Sequence, residues 1–156
     1  MEQKFSKLKF ITHGEGFIDI TNDLNLFIRK HNFNSGILNL TLLHTSCSLT
    51  INENADPNVL RDLKKYMQSI VPYDSYLTLS KNSEEISYKH YQEGADDMPA
   101  HIKTSLTNTC LSLSFQDSKI TLGTWQAVYL WEHRFDKKLR LINLHIIGKK
   151  KENIYN

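Results

Sequence analysis

Residues 37–52 read ILNLTLLHTSCSLTIN, and two alternating runs in this stretch decide the fold class. In the first run, 37–43, every second residue is a leucine. In the second run, 46–52, one side is apolar (Cys47, Leu49 and Ile51) and the other side is polar. A period of two with one apolar side predicts two β-strands that each bury one face.

Helices and further strands are predicted around these two strands. Thr21 is expected to cap a first helix, Asp56-Pro57 gives an N-cap and a proline start for a second, and Asp97 starts a third. Residues 8–12 and 16–20 predict a short hairpin. Three or four strands are expected to finish the chain, at 110–115, 120–124, 127–133 and 139–147. Strands at both ends with helices between them indicate an α+β fold.

The composition is that of one globular domain. The 156 residues are 40% hydrophobic and 23% charged, with a net charge of +2, and residues 1–5 and 149–156 are expected to be tails. Scattered basic residues do not favour a nucleic-acid partner, and no apolar stretch is long enough to span a membrane. No basic segment followed by an apolar run opens the chain, so we expect no secretory signal, and two cysteines, Cys47 and Cys110, make no disulfide framework. We therefore expect a cytoplasmic protein with free thiols.

The polar side of the second run is the first candidate for a site. It is predicted to carry five side chains that point the same way: His44, Ser46, Ser48, Thr50 and Asn52. A sheet face with imidazole, hydroxyl and amide groups is either plain solvent surface or the wall of a polar site, and the pattern leaves both interpretations open.

Residues 88–101 form a second polar cluster, with His90, His101 and three carboxylates close to a predicted helix start. The unpaired N–H groups of a helix start bind anions, and the adjacent Asp96 and Asp97 side chains could instead hold Mg²⁺. In a simpler interpretation Asp97 only caps the helix. We favour a capping Asp97 and a functional Asp96. The two histidines are expected to converge with His44 on one three-histidine site.

A third polar signal is the segment Leu122-Gly123-Thr124-Trp125-Gln126. A glycine before Thr-Trp-Gln suggests a bulge or a close approach of two backbones. Trp125 is either a core residue or a platform on which a ligand stacks. Further along, Glu132 alternates with apolar residues, so its carboxylate needs a partner or a function.

Taken in order, these motifs resemble the YjbQ-like family, which is also described as secondary thiamine-phosphate synthase. The similar segments are His44-Thr-Ser with residues 51–56, Tyr88-x-His90 with residues 93–103, and residues 122–126. The resemblance implies an α+β fold with a two-sheet β-sandwich and a few helices, assembled as a homotrimer. It also implies a polar pocket built from His44, Asn52, Glu53, His90, Asp96, Asp97 and His101.

The resemblance implies a transferase activity in which a thiazole phosphate displaces pyrophosphate from a hydroxymethylpyrimidine pyrophosphate. We expect catalytic roles for His44, His101, Glu53 and Asp96, and substrate contacts from Asn52, Lys103, Trp125 and Gln126. A divalent cofactor, Mg²⁺ or Zn²⁺, is expected on His44, His90, His101 and Asp97. Two alternatives remain: a trimeric protein that binds a metal or a small phosphorylated or heteroaromatic ligand without turnover, and a structural interaction module.

Overall fold

Two antiparallel sheets and one helix enclose the apolar core of residues 1–152, the part of the chain that the computed structural model describes. The elements in chain order are β1 (Glu2–His13), β2 (Gly16–Asp19), α1 (Thr21–Lys30), β3 (Phe33–Leu42), β4 (Cys47–Glu53), α2 (Pro57–Ile70), β5 (Ser75–Leu77), β6 (Glu85–Ser87), α3 (Asp97–Ser105), β7 (Cys110–Gln116), β8 (Lys119–Ile120), β9 (Gln126–Glu132) and β10 (Lys137–Lys150). The larger sheet has the order β1-β10-β3-β7-β8, and the smaller has the order β2-β9-β4. The α+β prediction is confirmed.

The two strands predicted from residues 37–52 are present, and they belong to different sheets. β3 pairs with β10 and β7, whereas β4 pairs with β9. Leu38 and Leu40 of β3 and Leu49 of β4 are fully buried in the shared core. The alternation therefore identified the correct buried faces, because each strand contributes one face to the space between the sheets.

The predicted N-terminal hairpin is wrong, and so is the prediction of a tail at residues 1–5. β1 pairs along its whole length with β10, and β2 pairs with β9 in the other sheet. The chain changes sheet between them, where Gly14 adopts a φ of 109° that favours glycine. At the other end, Lys149 and Lys150 belong to β10, and residues 153–156 of the predicted tail lie outside the described residues.

Two of the three helix starts are predicted correctly. The Asp56 side chain accepts a hydrogen bond from the Asn58 N–H (2.8 Å), which confirms the predicted cap of α2. Thr21, by contrast, lies inside α1 and its hydroxyl accepts from the Val128 N–H (2.9 Å). The third helix begins at Asp97 as predicted. Among residues 1–152, no helix combines the length and apolar character that a membrane crossing requires.

Gly36 is a position where the larger sheet tolerates only glycine. Its φ is 154°, and a Cβ there would lie 2.1 Å from the Ile147 carbonyl oxygen of β10. We expect Gly36→Ala to lower the free energy of unfolding by at least about 2 kcal/mol, because strain and a backbone clash act together. Urea unfolding measures the loss. Gly16→Ala is the matched control, since a Cβ at Gly16 meets open space, and an equal loss in both variants would contradict the packing described.

Candidate metal centre

Two histidines and one aspartate converge at the start of α3. The Asp97 carboxylate lies 2.8 Å (Oδ2) from His90 Nε2 and 3.6 Å (Oδ1) from His101 Nε2. One ligand atom from each of the three side chains falls within 4.8 Å of the others. Two imidazoles with one carboxylate form a donor set that suits zinc and other first-row transition ions.

The local structure explains why these three side chains meet. Asp97 and His101 are four positions apart on α3, so their side chains lie on one face of the helix. His90 reaches the same point from the loop that follows β6. Asp97 is buried, whereas the His90 side chain is 55% exposed, so the centre opens to solvent on the His90 side.

A hydrogen bond orients the ring of His101. Its Nδ1 lies 2.9 Å from the carbonyl oxygen of Thr45. A carbonyl oxygen only accepts hydrogen bonds, so Nδ1 donates to it, and Nε2 is the ring nitrogen directed at Asp97. Metal-bound histidines are typically held in this way by a carbonyl or carboxylate on the other ring nitrogen, and the His44-Thr-Ser motif supplies the carbonyl here.

Arg134 holds the carboxylates in place. Its Nε donates to Asp96 Oδ2 (3.0 Å), its Nη1 donates to Asp97 Oδ1, and its Nη2 donates to the Glu93 carbonyl (2.7 Å). The backbone N–H of Phe135 also donates to Asp96 Oδ2 (2.6 Å). Oδ1 of Asp97 therefore faces both Arg134 and His101, and Oδ2 faces His90, while the loop before α3 is tied to the residues that follow β9.

These contacts overturn the roles predicted for the acidic pair. Asp96 occupies the N-cap position of α3 and makes no side-chain capping bond within the described residues; its carboxylate is tied to Arg134 and Phe135. Asp97, predicted as the cap, is the residue that faces both histidines. A Mg²⁺ ion held jointly by Asp96 and Asp97 stays a prediction; Arg134 contacts both carboxylates and balances one of their two negative charges.

His44 is not brought to the centre. Its Nε2 accepts a hydrogen bond from the Leu141 N–H (2.8 Å), so that nitrogen is unavailable to a metal ion. Partial burial and the nearby Arg140 guanidinium lower the pKa of His44 below its usual value. The predicted three-histidine site is corrected to two histidines and Asp97. His44 lies next to Thr45 in the loop before β4 and binds the Leu141 N–H instead.

Lys103 is also placed differently from its prediction as a substrate contact. It is fully buried, and its Nζ lies 2.5 Å from Glu15 Oε1 and 3.3 Å from the Tyr73 hydroxyl. Burial, followed by the charge of Glu15, raises the pKa of Tyr73 to about 12, so this hydroxyl remains protonated. Lys103 thus ties α3 to the β1–β2 connection, and a ligand at the surface cannot reach its ammonium group.

The remaining predicted residues gather at the far end of β4. Glu53 pairs with Gln126, Asn52 Oδ1 accepts from the Glu53 N–H (2.8 Å), and Gln126 Oε1 accepts from the Gly123 N–H (2.8 Å). Trp125 is 65% exposed, so it is not a core residue. Thr45 lies just before β4 and Glu53 ends it, and the seven residues of β4 alone span roughly 20 Å. Within one chain this group and the metal centre are separate.

A buried ion pair behind the polar face of β4 explains two further predictions. Glu132 Oε2 lies 2.7 Å from Arg140 Nε and 2.8 Å from the Thr12 hydroxyl. Glu132 therefore has the partner that we expected for a carboxylate among apolar residues. Arg140 also donates to the Ser46 hydroxyl (3.0 Å). Ser48 is equally buried, beside His133 (2.7 Å), whose pKa burial lowers to about 3. The N-terminal part of the polar face is therefore interior, not solvent surface.

Arg134 and Glu15 are site residues that sequence reasoning missed. Arg134 follows Glu132, the last residue of β9, and His133. Three charged or titratable residues in a row at the end of a buried strand were the signal that could have identified it. Glu15 gave no comparable signal, because its partner Lys103 is 88 positions away.

Comparisons with known proteins agree on one family. A family model described as "UPF0047 protein YjbQ-like" matches residues 6–149. The UPF0047 protein YjbQ of Escherichia coli O157:H7 is 42% identical over 135 residues, which cover 86% of this chain and 90% of that protein. A Synechocystis UPF0047 protein is 35% identical over 142 residues, 91% of this chain and 90% of that protein.

Solved structures give the same answer for the fold. A conserved protein of the YjbQ/UPF0047 family from Clostridium acetobutylicum superposes with a TM-score of 0.73 at 29% identity, covering 92% of this chain and 99% of that one. A conserved protein from Thermus thermophilus superposes with a TM-score of 0.72 at 27% identity, covering 91% of this chain and 99% of that one.

Proposed function

The chain belongs to the YjbQ-like UPF0047 family, and from this premise we propose that it is a small-molecule enzyme with a divalent metal ion at His90, Asp97 and His101. The observation that carries the proposal is the convergence of one ligand atom each from His90, Asp97 and His101 within 4.8 Å of one another. The hydrogen bond from His101 Nδ1 to Thr45 supports it, because it directs Nε2 towards Asp97. The donor set favours zinc over magnesium, which prefers oxygen ligands.

We further propose, from the family resemblance, that the reaction is thiamine-phosphate synthesis. The ring nitrogen of a thiazole phosphate forms a C–N bond to the pyrimidine methylene carbon, while the C–O bond to pyrophosphate breaks and the pyrophosphate leaves with the bonding pair. A bound divalent ion would neutralise anionic oxygens such as those of the leaving group. The chain's own part is to orient the ligands: Thr45 orients His101 and Arg134 orients Asp97.

Elemental analysis and an activity assay test the proposal together. We expect one zinc per chain after purification without chelators, and formation of thiamine phosphate and pyrophosphate that stops when the metal is removed and returns when zinc is restored. One zinc per chain without product would favour a metal-binding protein without turnover. Absence of any bound metal would contradict the metal centre and leave the structural module as the better account.

We also propose that the chain assembles as a homotrimer through the outer face of the larger sheet. Phe5, Ile11, Ile37 and Leu139 lie there and are each about half exposed. Apolar side chains spread over one sheet face are typical of an interface. Light scattering is expected to give three times the chain mass of 18.2 kDa. Ile37→Asp should dissociate the trimer, whereas Ser112→Asp, also exposed but without an apolar side chain to lose, should weaken it less. A monomer at every concentration would contradict this assembly.

A further inference from the structure

An apolar groove lies beside the candidate metal centre. Its volume is about 890 Å³, which falls in the range of small-molecule sites, roughly 300–1,000 Å³. The end of α2, the β5–β6 hairpin and α3 form its walls, and the lining includes Ile70, Tyr76, Leu77, Ile86, Met98 and Ile102. Most of the lining is hydrocarbon, so the groove suits an apolar occupant.

The groove and the metal centre are built from the same two segments. On α3, Asp97 and His101 face the centre, while Met98 and Ile102, each one residue further on, line the groove. One residue turns a helix by about 100°, so the two pairs form adjacent stripes on α3. After β6, the chain lines the groove with Tyr88 and Lys89 and then supplies His90, which belongs to both.

Several groove residues keep much of their apolar surface in water. Leu77 is 66% exposed, Ile70 is 50% exposed and Leu79 is fully exposed. Contiguous exposed apolar surface on a protein typically marks a binding site. The rings of Tyr76 and Tyr88 lie 5.6 Å apart in the groove. Lys89 places one positive charge at the end nearest His90.

We propose that the groove binds the hydrocarbon body of an amphipathic ligand whose anionic oxygen head is held at His90, Asp97 and His101. The inference rests on the proposed metal centre, not on the proposed thiamine-phosphate synthesis, and names a second class of ligand for that centre. The lining offers few groups to hydrogen-bond a polar ring, so an aliphatic or plain aromatic body fits the groove, and the heterocyclic rings of the proposed substrates would lie outside it. The shared residue His90 and the nearby Lys89 fix the direction in which the ligand lies.

A series of straight-chain hydroxamates, from acetohydroxamate to octanohydroxamate, tests the inference on the zinc-loaded protein by calorimetry. The hydroxamate group binds zinc through two oxygens, and the chain length varies only the apolar part. We expect each added methylene to tighten binding by up to roughly four-fold. Leu77→Ser and Ile86→Ser should flatten this dependence without changing acetohydroxamate affinity. His101→Ala should weaken binding of the whole series.

Leu26→Ser is the matched control, because Leu26 is an equally exposed leucine (58%) on α1, outside the groove, and it should leave the whole series unchanged. If zinc and acetohydroxamate bind but chain length has no effect, the groove inference is overturned and the metal centre stands. If zinc does not bind, both are overturned. If Leu77→Ser changes the oligomeric state and leaves the affinities intact, the groove is a contact between copies of this chain and the inference fails.

Discussion

The Asp97→Asn variant is expected to lose its zinc, with an affinity at least roughly 100-fold weaker than that of the unaltered protein. Residues that only orient a ligand typically account for 10–100-fold in metal affinity, and Asp97 is itself a proposed ligand. The substitution removes the negative charge between His90 and His101 while keeping the shape of the side chain. His101→Ala should have an effect of similar size. Competition with a fluorescent zinc chelator measures both.

Two comparisons make this result specific. His13→Ala changes an exposed histidine at the end of β1 and should leave the zinc affinity unchanged. Arg134→Lys keeps the charge but loses the forked geometry that orients Asp96 and Asp97, so a smaller loss of roughly 10–100-fold is expected. Equal zinc affinity in Asp97→Asn and the unaltered protein would exclude Asp97 as a ligand.

The second large effect concerns stability. Glu132→Gln is expected to lower the free energy of unfolding at neutral pH by about 3–5 kcal/mol, because it leaves Arg140 as a buried charge without its partner. Both side chains are almost completely buried, so water cannot compensate for the loss. Glu84→Gln, at an exposed loop position, is the matched control and should have little effect.

The cost of Glu132→Gln is expected to shrink in acid. Burial by itself would raise the pKa of Glu132, but hydrogen bonds from Arg140, the Arg134 N–H and Thr12 together lower it below its usual value. A depressed folded pKa gives stability that is present above the unfolded value, about 4.3, and is lost as the pH falls through the folded pKa. Urea unfolding at several pH values should therefore bring the two proteins closer together below about pH 4. A difference independent of pH would contradict an ionised Glu132.

Local patterns in the sequence predicted individual strands and helices well, but they predicted poorly which strands pair with each other. The alternation in residues 37–52 identified the buried faces of β3 and β4, and Asp56-Pro57 identified the start of α2, because these signals depend only on neighbouring residues. The hairpin expected at residues 8–20 failed because β1 pairs with β10, more than 120 positions away. A strand's own pattern carries no information about its distant partner.

The candidate site, like the fold, was predicted only in part. His90, Asp97 and His101 were expected together because they cluster around one helix start. Lys103 and His44 were misassigned because their partners, Glu15 and the Leu141 N–H, lie at distances in sequence that no motif reveals. The capping role expected of Asp97 was wrong because Arg134, which binds the carboxylates of both Asp96 and Asp97, lies 38 and 37 positions away and follows β9.

The most direct test of the metal centre is anomalous X-ray diffraction from crystals of the zinc-soaked protein, with data collected on both sides of the zinc absorption edge. We expect one strong peak per chain, about 2.0–2.2 Å from His90 Nε2, His101 Nε2 and an Asp97 carboxylate oxygen. A zinc peak bound by other residues, with none at these three side chains, would contradict the assignment of this cluster as the functional centre.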